Sequence, residues 1–452
     1  MPDYYALSYR HWDDLAYTGY RKSLSIVLDL THAVQIPHAH VILRGPGGAN
    51  HRITRGYTMN EDANGTRVCP SVKPADPRFS SGPCKKYPGW DISHLNTEFL
   101  GCSHRAKLPK QRLRDAIDRS HQLLGLPADW KLGIVPGSDT GAFEIAMWSL
   151  LGSRPVDALV WESFSSDWSK DLQALGIESL NVYQADYGEL PDLQQVDSAH
   201  DLVMVYNGTT SGVCLPDLDW LDADRDGLVL CDSTSAAYAM PMDFSKLDVV
   251  TWSWQKVLGS EGAHGMLALS PKAVARLEST TPRFPLPKLF KLTKADKLID
   301  GIFSGATINT PSMLALEDLR AALGWAESIG GVEALWRRTR DNFDCIDSWV
   351  RETDWIDWLA RDPATRSPTS MCLQIVDPDF IRLPVAEQQP AINTMLAELE
   401  QYEVAYDIGN YRSAPPGFRI WGGATVESSD LRALTPWLDH VFATFKQSMQ
   451  EK

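Results

Sequence analysis

The chain has 452 residues, 44% hydrophobic and 22% charged, with a net charge of -15. This composition suits one large globular core with a smaller second one, and the acidic balance excludes nucleic acid or an anionic membrane as the main partner. No uninterrupted apolar run reaches bilayer-spanning length, and the seven cysteines show no CxxC spacing, which favours reduced thiols in the cytoplasm over a zinc site or a disulfide framework.

Residues 1–58 differ from the rest, being rich in His and Tyr and slightly basic. Residues 25–30 could be a strand, but no periodic partner follows. His32, His38 and His40 have no carboxylate or cysteine at ligand spacing, so no metal site is expected there. The stretch has neither the order of a secretory signal nor the acid-poor composition of a mitochondrial one. The expectation is a poorly ordered extension outside the folded protein, with Met59 as the native start.

From Lys73 onward the texture is that of a folded enzyme. Residues 79–84 are turn-rich, and residues 91–100 are expected as a short helix. Residues 109–124 carry apolar Leu113, Ile117, Leu123 and Leu124 and stop at Gly125, which predicts a helix. Five short apolar runs follow, at 158–161, 179–183, 202–206, 228–231 and 249–254, separated by helical stretches and Gly-rich loops. That alternation predicts an α/β fold with a mostly parallel, doubly wound sheet. Residues 265–269 would add one more strand. Residues 280–310 read as an excursion from the core, and 312–329 as a long helix. Helices over 332–352, 388–400 and from 429, with strands at 371–376 and 418–421, predict a small α+β unit. The expected division is 1–58 as the extension, 59–90 as a segment contributing to the substrate site, 91–325 as the large domain and 326–452 as the small one.

The stretch with the most chemistry is Trp252-Ser253-Trp254-Gln255-Lys256. Lys256 lies just past a β-branched and aromatic strand, on a corner fixed by Gly259, Gly262 and Gly265. A desolvated lysine there has a lowered pKa and can attack a carbonyl; a surface lysine in a polar loop is the bland alternative. Asp232 closes the strand before it. In open α/β sheets ligands bind at the carboxyl ends of strands, so Asp232 could hold a protonated pyridine nitrogen or simply cap a helix. Gly137-Ser138-Asp139-Thr140-Gly141 stands between a strand and a helix. Its N–H groups and Thr140 could cradle a phosphate, although such turns are common. Phe164, or less favourably Trp168, could stack on a planar ring, with core packing as the default for both. Arg419, between Phe418 and Ile420, needs a counter-charge, which a substrate carboxylate or a buried ion pair would supply.

Taken in order, Asn207-Gly208-Thr209-Thr210-Ser211-Gly212, Cys231-Asp232-Ser233-Thr234, the run 244–256, Gly262-Ala263-His264-Gly265 and Thr307-Ile308-Asn309-Thr310-Pro311 resemble the phosphoserine aminotransferases. These are class V members of the fold-type I enzymes that use pyridoxal 5′-phosphate. Ser80-Ser81-Gly82-Pro83 and Ser103-His104-Arg105 strengthen the resemblance, which covers roughly residues 73–447. It implies a large domain with a mostly parallel sheet, a small C-terminal α+β domain, and a homodimer with shared active sites.

Residue by residue, the resemblance implies that Lys256 carries the cofactor as a Schiff base. Asp232 would pair with the ring nitrogen, Phe164 would stack on the ring and Thr209 would bond the ring's 3-oxygen. Asp139, Thr140 and Gln255 would hold the cofactor phosphate, with Asn309 and Thr310 arriving from the other subunit. Arg419 would take the substrate α-carboxylate. Ser81, His104, Arg105 and Arg412 would line the side-chain end, where phosphoserine's phosphate and glutamate's distal carboxylate both fit. A bacterial branch of the family has Gly-Arg where this chain has Asp139-Thr140, and His-Arg where it has Tyr411-Arg412.

The implied reaction moves an amino group between glutamate and 3-phosphohydroxypyruvate, in serine synthesis, with a related step of vitamin B6 synthesis as an extension. The rivals are another class V transaminase acting on alanine or serine with glyoxylate, a cysteine desulfurase, and an inactive homologue. The basic group His104, Arg105 and Arg412 argues against a small neutral substrate side chain, and no cysteine sits in an evident mobile loop. Lys256, Asp232 and Arg419 together argue against loss of activity.

Overall fold

The computed structural model describes residues 69–450, together with the backbone of two short paired strands, Ile42–Arg44 and Asn50–Arg52. The expectations for residues 1–58, including the strand at 25–30, fall almost entirely outside the described residues, as does the proposed start at Met59. Residues 1–68 and 69–452 are separate compact units, and the rest of this section concerns the second.

Its centre is a seven-stranded sheet. The strands are β1 (Lys131–Pro136), β2 (Val156–Val160), β3 (Leu180–Gln184), β4 (Asp201–Val205), β5 (Val229–Asp232), β6 (Val249–Ser253) and β7 (His264–Leu269). Their spatial order is β1-β7-β6-β5-β4-β2-β3. All neighbours are parallel except β7, which runs antiparallel to both β6 and β1. Strands β2, β4, β5 and β6 are buried along their whole length, as expected of a sheet covered on both faces. The reversal at β7 follows from the glycine-rich turn after Lys256, which brings the chain back beside the strand it left.

Helices cover the sheet. They include α1 (Lys107–Leu124), α2 (Ser138–Leu150), α3 (Ser163–Ala174), α4 (Pro271–Ser279) and α5 (Met313–Ser328). α1 buries Leu113, Ile117, Leu123 and Leu124, and ends at Gly125, whose φ of 73° suits the left-handed cap that glycine adopts freely. The helix expected over 91–100 is only a single turn, Ile92–His94. The physical reason is local. Asp91 caps the turn by accepting from the Ser93 N–H, but Asn96 accepts from the Glu98 N–H, a donor that a continuing helix would need.

Beyond α5 come α6 (Val332–Arg351), α7 (Val385–Gln401) and α8 (Ser428–Gln450), which pack on a three-stranded antiparallel sheet of β8 (Ile356–Trp358), β9 (Ser370–Ile375) and β10 (Gly417–Trp421), in that order. The segment before α1 is stitched to distant parts of the chain. Trp437 donates to the Val72 carbonyl at 2.8 Å, and the Ala75 N–H donates to Asp430 at 2.8 Å. The Tyr406 and Trp421 N–H groups reach the carbonyls of Pro77 and Phe79 at 2.8 and 3.0 Å, and the Cys84 N–H reaches Gln255 O at 2.8 Å. Asp318 on α5 accepts from Lys86, Trp90 and the Glu261 N–H, each at 2.7 Å.

Candidate active site

The parallel strands deliver their carboxyl ends to one edge of the sheet. From that edge come Asp139 after β1, Phe164 after β2, Thr209 after β4, Asp232 at the end of β5 and Lys256 after β6. Asp232 pairs in register with Val205 on one side and Thr251 on the other, so its side chain is fixed by two strands.

Lys256 is buried, and its Nζ donates to the backbone carbonyl of Ser81. Burial pulls the amine below its ordinary pKa of 10.5, and the Arg419 guanidinium adds to the fall, while Asp232 and Asp139 oppose it. Nζ also lies 5.9 Å from the ring centroid of Trp421 on β10. The backbone at Gly82 passes so close that an added Cβ would stand 2.7 Å from Nζ. The Gly82 φ of 154° is also one that side chains rarely adopt, so glycine is favoured where the N-terminal segment roofs the amine. Gly265 plays the equivalent part on β7, where a Cβ would stand 2.1 Å from the Ser138 carbonyl. Its absence lets the start of α2 press onto the sheet.

Asp232 is buried, and each of its oxygens accepts one hydrogen bond. Trp168 Nε1 donates to Oδ2 at 3.0 Å, and the Thr234 N–H donates to Oδ1 at 3.0 Å. Trp168 also packs on Phe143 with ring centroids 4.8 Å apart. Phe164 is half-buried and tilted against Tyr411 at 5.5 Å. The Arg412 and Arg419 guanidinium groups each lie 5.7 Å from that same Tyr411 ring. Arg419 Nε is buried without a hydrogen-bond partner. Among the described residues no carboxylate pairs with Arg419, so the structural ion pair, one of the two alternatives, is not formed.

α2 begins at Gly137 in the left-handed conformation, with no side chain capping it; the Ser138 N–H goes to the Ala263 carbonyl, which leaves the Asp139 and Thr140 N–H groups to face an anion. Asp139 turns its carboxyl inward, toward Asp232 and Thr251, leaving only its main chain at the helix end. Gln255 Oε1 is a buried acceptor with no partner. Thr209 Oγ1 donates to Ser235 Oγ at 3.0 Å, and the Ser370 hydroxyl on β9 donates to the Thr209 carbonyl at 2.5 Å, which ties the large sheet to the small one.

Four expected residues stand apart. His104 is half-buried and Arg105 exposed in the loop before α1. Burial and Arg105 lower the His104 pKa. Asn309 is half-buried and Thr310 exposed in the loop before α5. Among the described residues, no hydrogen bond, ion pair or ring contact joins these four to the Lys256 group within one chain.

Sequence reasoning missed two contributors, Glu162 and Ser235, and noted Tyr411 only as a departure from the bacterial branch. Glu162 caps α3, accepting from the Ser165 N–H at 2.6 Å and from the Thr210 hydroxyl at 2.7 Å; burial pushes its carboxyl up to about 7. The Glu162-x-x-Ser165 spacing of a capping box was the available signal. Ser235 joins Asn207 and Thr209, accepting from both at 2.9 and 3.0 Å. Tyr411 supplies the ring between two arginines.

The fit to a pyridoxal phosphate can be tested on these residues. A desolvated amine, a donor-bound carboxylate at a strand end, an uncapped helix N-terminus and an unpaired guanidinium converge on one edge of the sheet. These are complementary to an aldehyde, a ring nitrogen, a phosphate and a substrate carboxylate.

No family model matches the chain. A phosphoserine aminotransferase of Methanosarcina mazei is 51% identical over 378 residues, 83% of this chain and 100% of that protein. The structure of a phosphoserine aminotransferase from Cytophaga hutchinsonii superposes with a TM-score of 0.68 at 19% identity, covering 81% of this chain and 98% of the other. A phosphoserine aminotransferase with bound pyridoxal phosphate from Trichomonas vaginalis gives 0.65 at 16% identity, covering 80% and 99%. The two superpositions establish a shared fold, and the level of identity to the Methanosarcina protein, over its full length, establishes kinship: the chain belongs to the phosphoserine aminotransferase family.

Proposed function

We propose that this protein is a pyridoxal-phosphate-dependent aminotransferase that interconverts 3-phosphohydroxypyruvate and glutamate with O-phosphoserine and 2-oxoglutarate, in serine synthesis. The observation that carries the reading is the pairing of a buried, pKa-lowered Lys256 amine with an Arg419 guanidinium that has no carboxylate of its own. Such a site demands an anionic substrate beside a nucleophilic amine.

Pyridoxal phosphate, when bound, supplies the carbonyl that takes up the amino group and a ring that draws electrons from the substrate Cα. Lys256 would hold the cofactor's carbonyl carbon, and its Nζ is the group that would take the substrate Cα proton as a general base. Burial lowers the pKa of that nitrogen, which favours its neutral, nucleophilic form. Asp232 keeps the ring nitrogen protonated, and Trp168 and the Thr234 N–H fix its carboxylate for the task. Phe164 would cover the ring, Thr209 would bond its 3-oxygen, and the start of α2 with Asp139, Thr140 and Gln255 would take the phosphate.

Arg419 clamps the substrate α-carboxylate. Ser81 and Arg412 would receive the phosphate of phosphoserine or the distal carboxylate of glutamate, joined by His104 and Arg105 only where assembly or closure brings that loop to a site. Exposed Thr310 and half-buried Asn309, unattached to their own site, fit a homodimer in which each completes the partner's phosphate cup. The large lobe at 91–325 would then carry the cofactor and the small lobe at 326–452 the carboxylate clamp. The cysteines among the described residues are unpaired, which suits the reducing cytoplasm.

The test is a half-reaction. Purified protein loaded with pyridoxal phosphate is mixed separately with phosphoserine, serine and alanine, and loss of the visible cofactor band is followed. Phosphoserine should react far faster than the other two. Faster reaction with alanine or serine would move the protein to another class V activity.

A further inference from the structure

Asp139 and Asp232 are two carboxyls in one dry pocket. They are 7% and 6% exposed. Asp139 is the second residue of α2, which packs on β5 and β6, while Asp232 ends β5 in register with Thr251 of β6, and the two carboxyls are close enough to repel. The two Asp232 oxygens accept from Trp168 and the Thr234 N–H. Asp139 Oδ1 has no partner of normal geometry. The other charged or titratable groups facing the pair are Lys256, whose pull on Asp139 is weaker than the push of Asp232, Glu162, which faces Asp232, and the Cys231 thiol. Like charges at such range in a desolvated site cannot both persist.

We infer that Asp139 is held as the neutral acid and donates its proton to Asp232, so that the two side chains form a carboxylic acid–carboxylate pair. This rests on the reading that Asp232 binds the cofactor's ring nitrogen. Asp139 is then a positioning residue that acts through Asp232. The shared proton leaves the pair one negative charge to set against one protonated ring nitrogen. Burial and Asp232 push the Asp139 carboxyl well above the usual carboxylate range, in the same direction. The donors divide the roles: Asp232 accepts from two, while Asp139 Oδ1 and the Thr251 hydroxyl are buried without a partner.

The experiment uses the holoenzyme and two readouts. The first is the infrared carbonyl band of a protonated carboxylic acid, compared between wild type and Asp139→Asn. The second is the pH titration of the visible band of the lysine-bound cofactor. Wild type should show the acid band at neutral pH and Asp139→Asn should lose it. The visible titration should stay in place, because a neutral amide replaces a neutral acid. No acid band difference, or a visible titration lowered by about one pH unit or more in Asp139→Asn, would mean that a real negative charge had been removed, and would overturn the pair. Asp139→Ser, also neutral and hydrogen-bonding, serves the same comparison should the amide not fold. Wild type that develops no visible band with pyridoxal phosphate would sink the cofactor reading itself, a result distinct from a band that forms and then shifts.

Discussion

Trp168 and Asp232 are joined by an indole N–H donated to a buried carboxylate at 3.0 Å. Two residues from different elements, α3 and the end of β5, thereby fix one acid. A hydrogen bond to a charged group contributes about 1.5–3 kcal/mol. Trp168→Phe should keep the fold and the cofactor yet slow the phosphoserine half-reaction about ten-fold or more. Stopped-flow absorbance checks this, and an unchanged rate would reduce Trp168 to packing.

Lys256→Ala should abolish turnover while pyridoxal phosphate still binds without a covalent link, because the start of α2 is a separate anchor. Dialysis followed by absorbance measures retention. Turnover near that of wild type would remove Lys256 from the chemistry.

The buried amine also makes a stability prediction. Its folded pKa lies below 10.5, the value of a free lysine. Between those two values the unfolded chain binds the extra proton, so stability rises with pH across that window and is poorest below it. Cofactor-free Lys256→Met should therefore melt higher than cofactor-free wild type at neutral pH, and the gap should close toward pH 10.5. Melting curves at several pH values report it; a gap independent of pH would mean that the charge is not its cause.

Arg419→Ala should raise KM for phosphoserine and glutamate alike, by about 10–100-fold, since both lose one charge-assisted clamp. Arg105→Ala should harm phosphoserine far more than an unphosphorylated amino acid. Equal losses from Arg105→Ala on both substrates would count against a phosphate role.

The shared-site dimer can be tested by complementation. Lys256→Ala and Thr310→Asp homodimers should each be nearly inactive. Random pairing of equal amounts makes about half the dimers mixed, each with one intact site, so co-expression should restore about a quarter of wild-type activity. Isolated mixed dimers that stay inactive would rule out a contribution of Thr310 across the interface.

The sheet was legible because each buried parallel strand reads as a short apolar run, as Val249–Ser253 does, and because glycines punctuate the loops between them. The antiparallel turn of β7 was not, since alternation carries no strand direction. Lys256, Asp232 and Arg419 stood out as polar residues in apolar surroundings. Asp139 did not: beside a Gly-rich turn it reads as part of a phosphate loop, and only the packed structure shows its side chain turned toward a second carboxyl. Glu162 hid similarly, its spacing to Ser165 being shared by many ordinary helix starts.

The stitching of the N-terminal segment has a consequence for synthesis. The carbonyl that roofs Lys256 belongs to residue 81, and the strap carrying it is fastened by Asp430 and Trp437, which follow Ala75 and Val72 by 355 and 365 residues. At ordinary translation rates that is a wait on the order of twenty to seventy seconds. During it the strap can meet Gln255, Asp318, Tyr406 and Trp421, but not its last two fasteners. The roof over the lysine is thus completed only when α8 has left the ribosome, and a premature stop within the last helix would loosen the active site while leaving every residue of that site encoded.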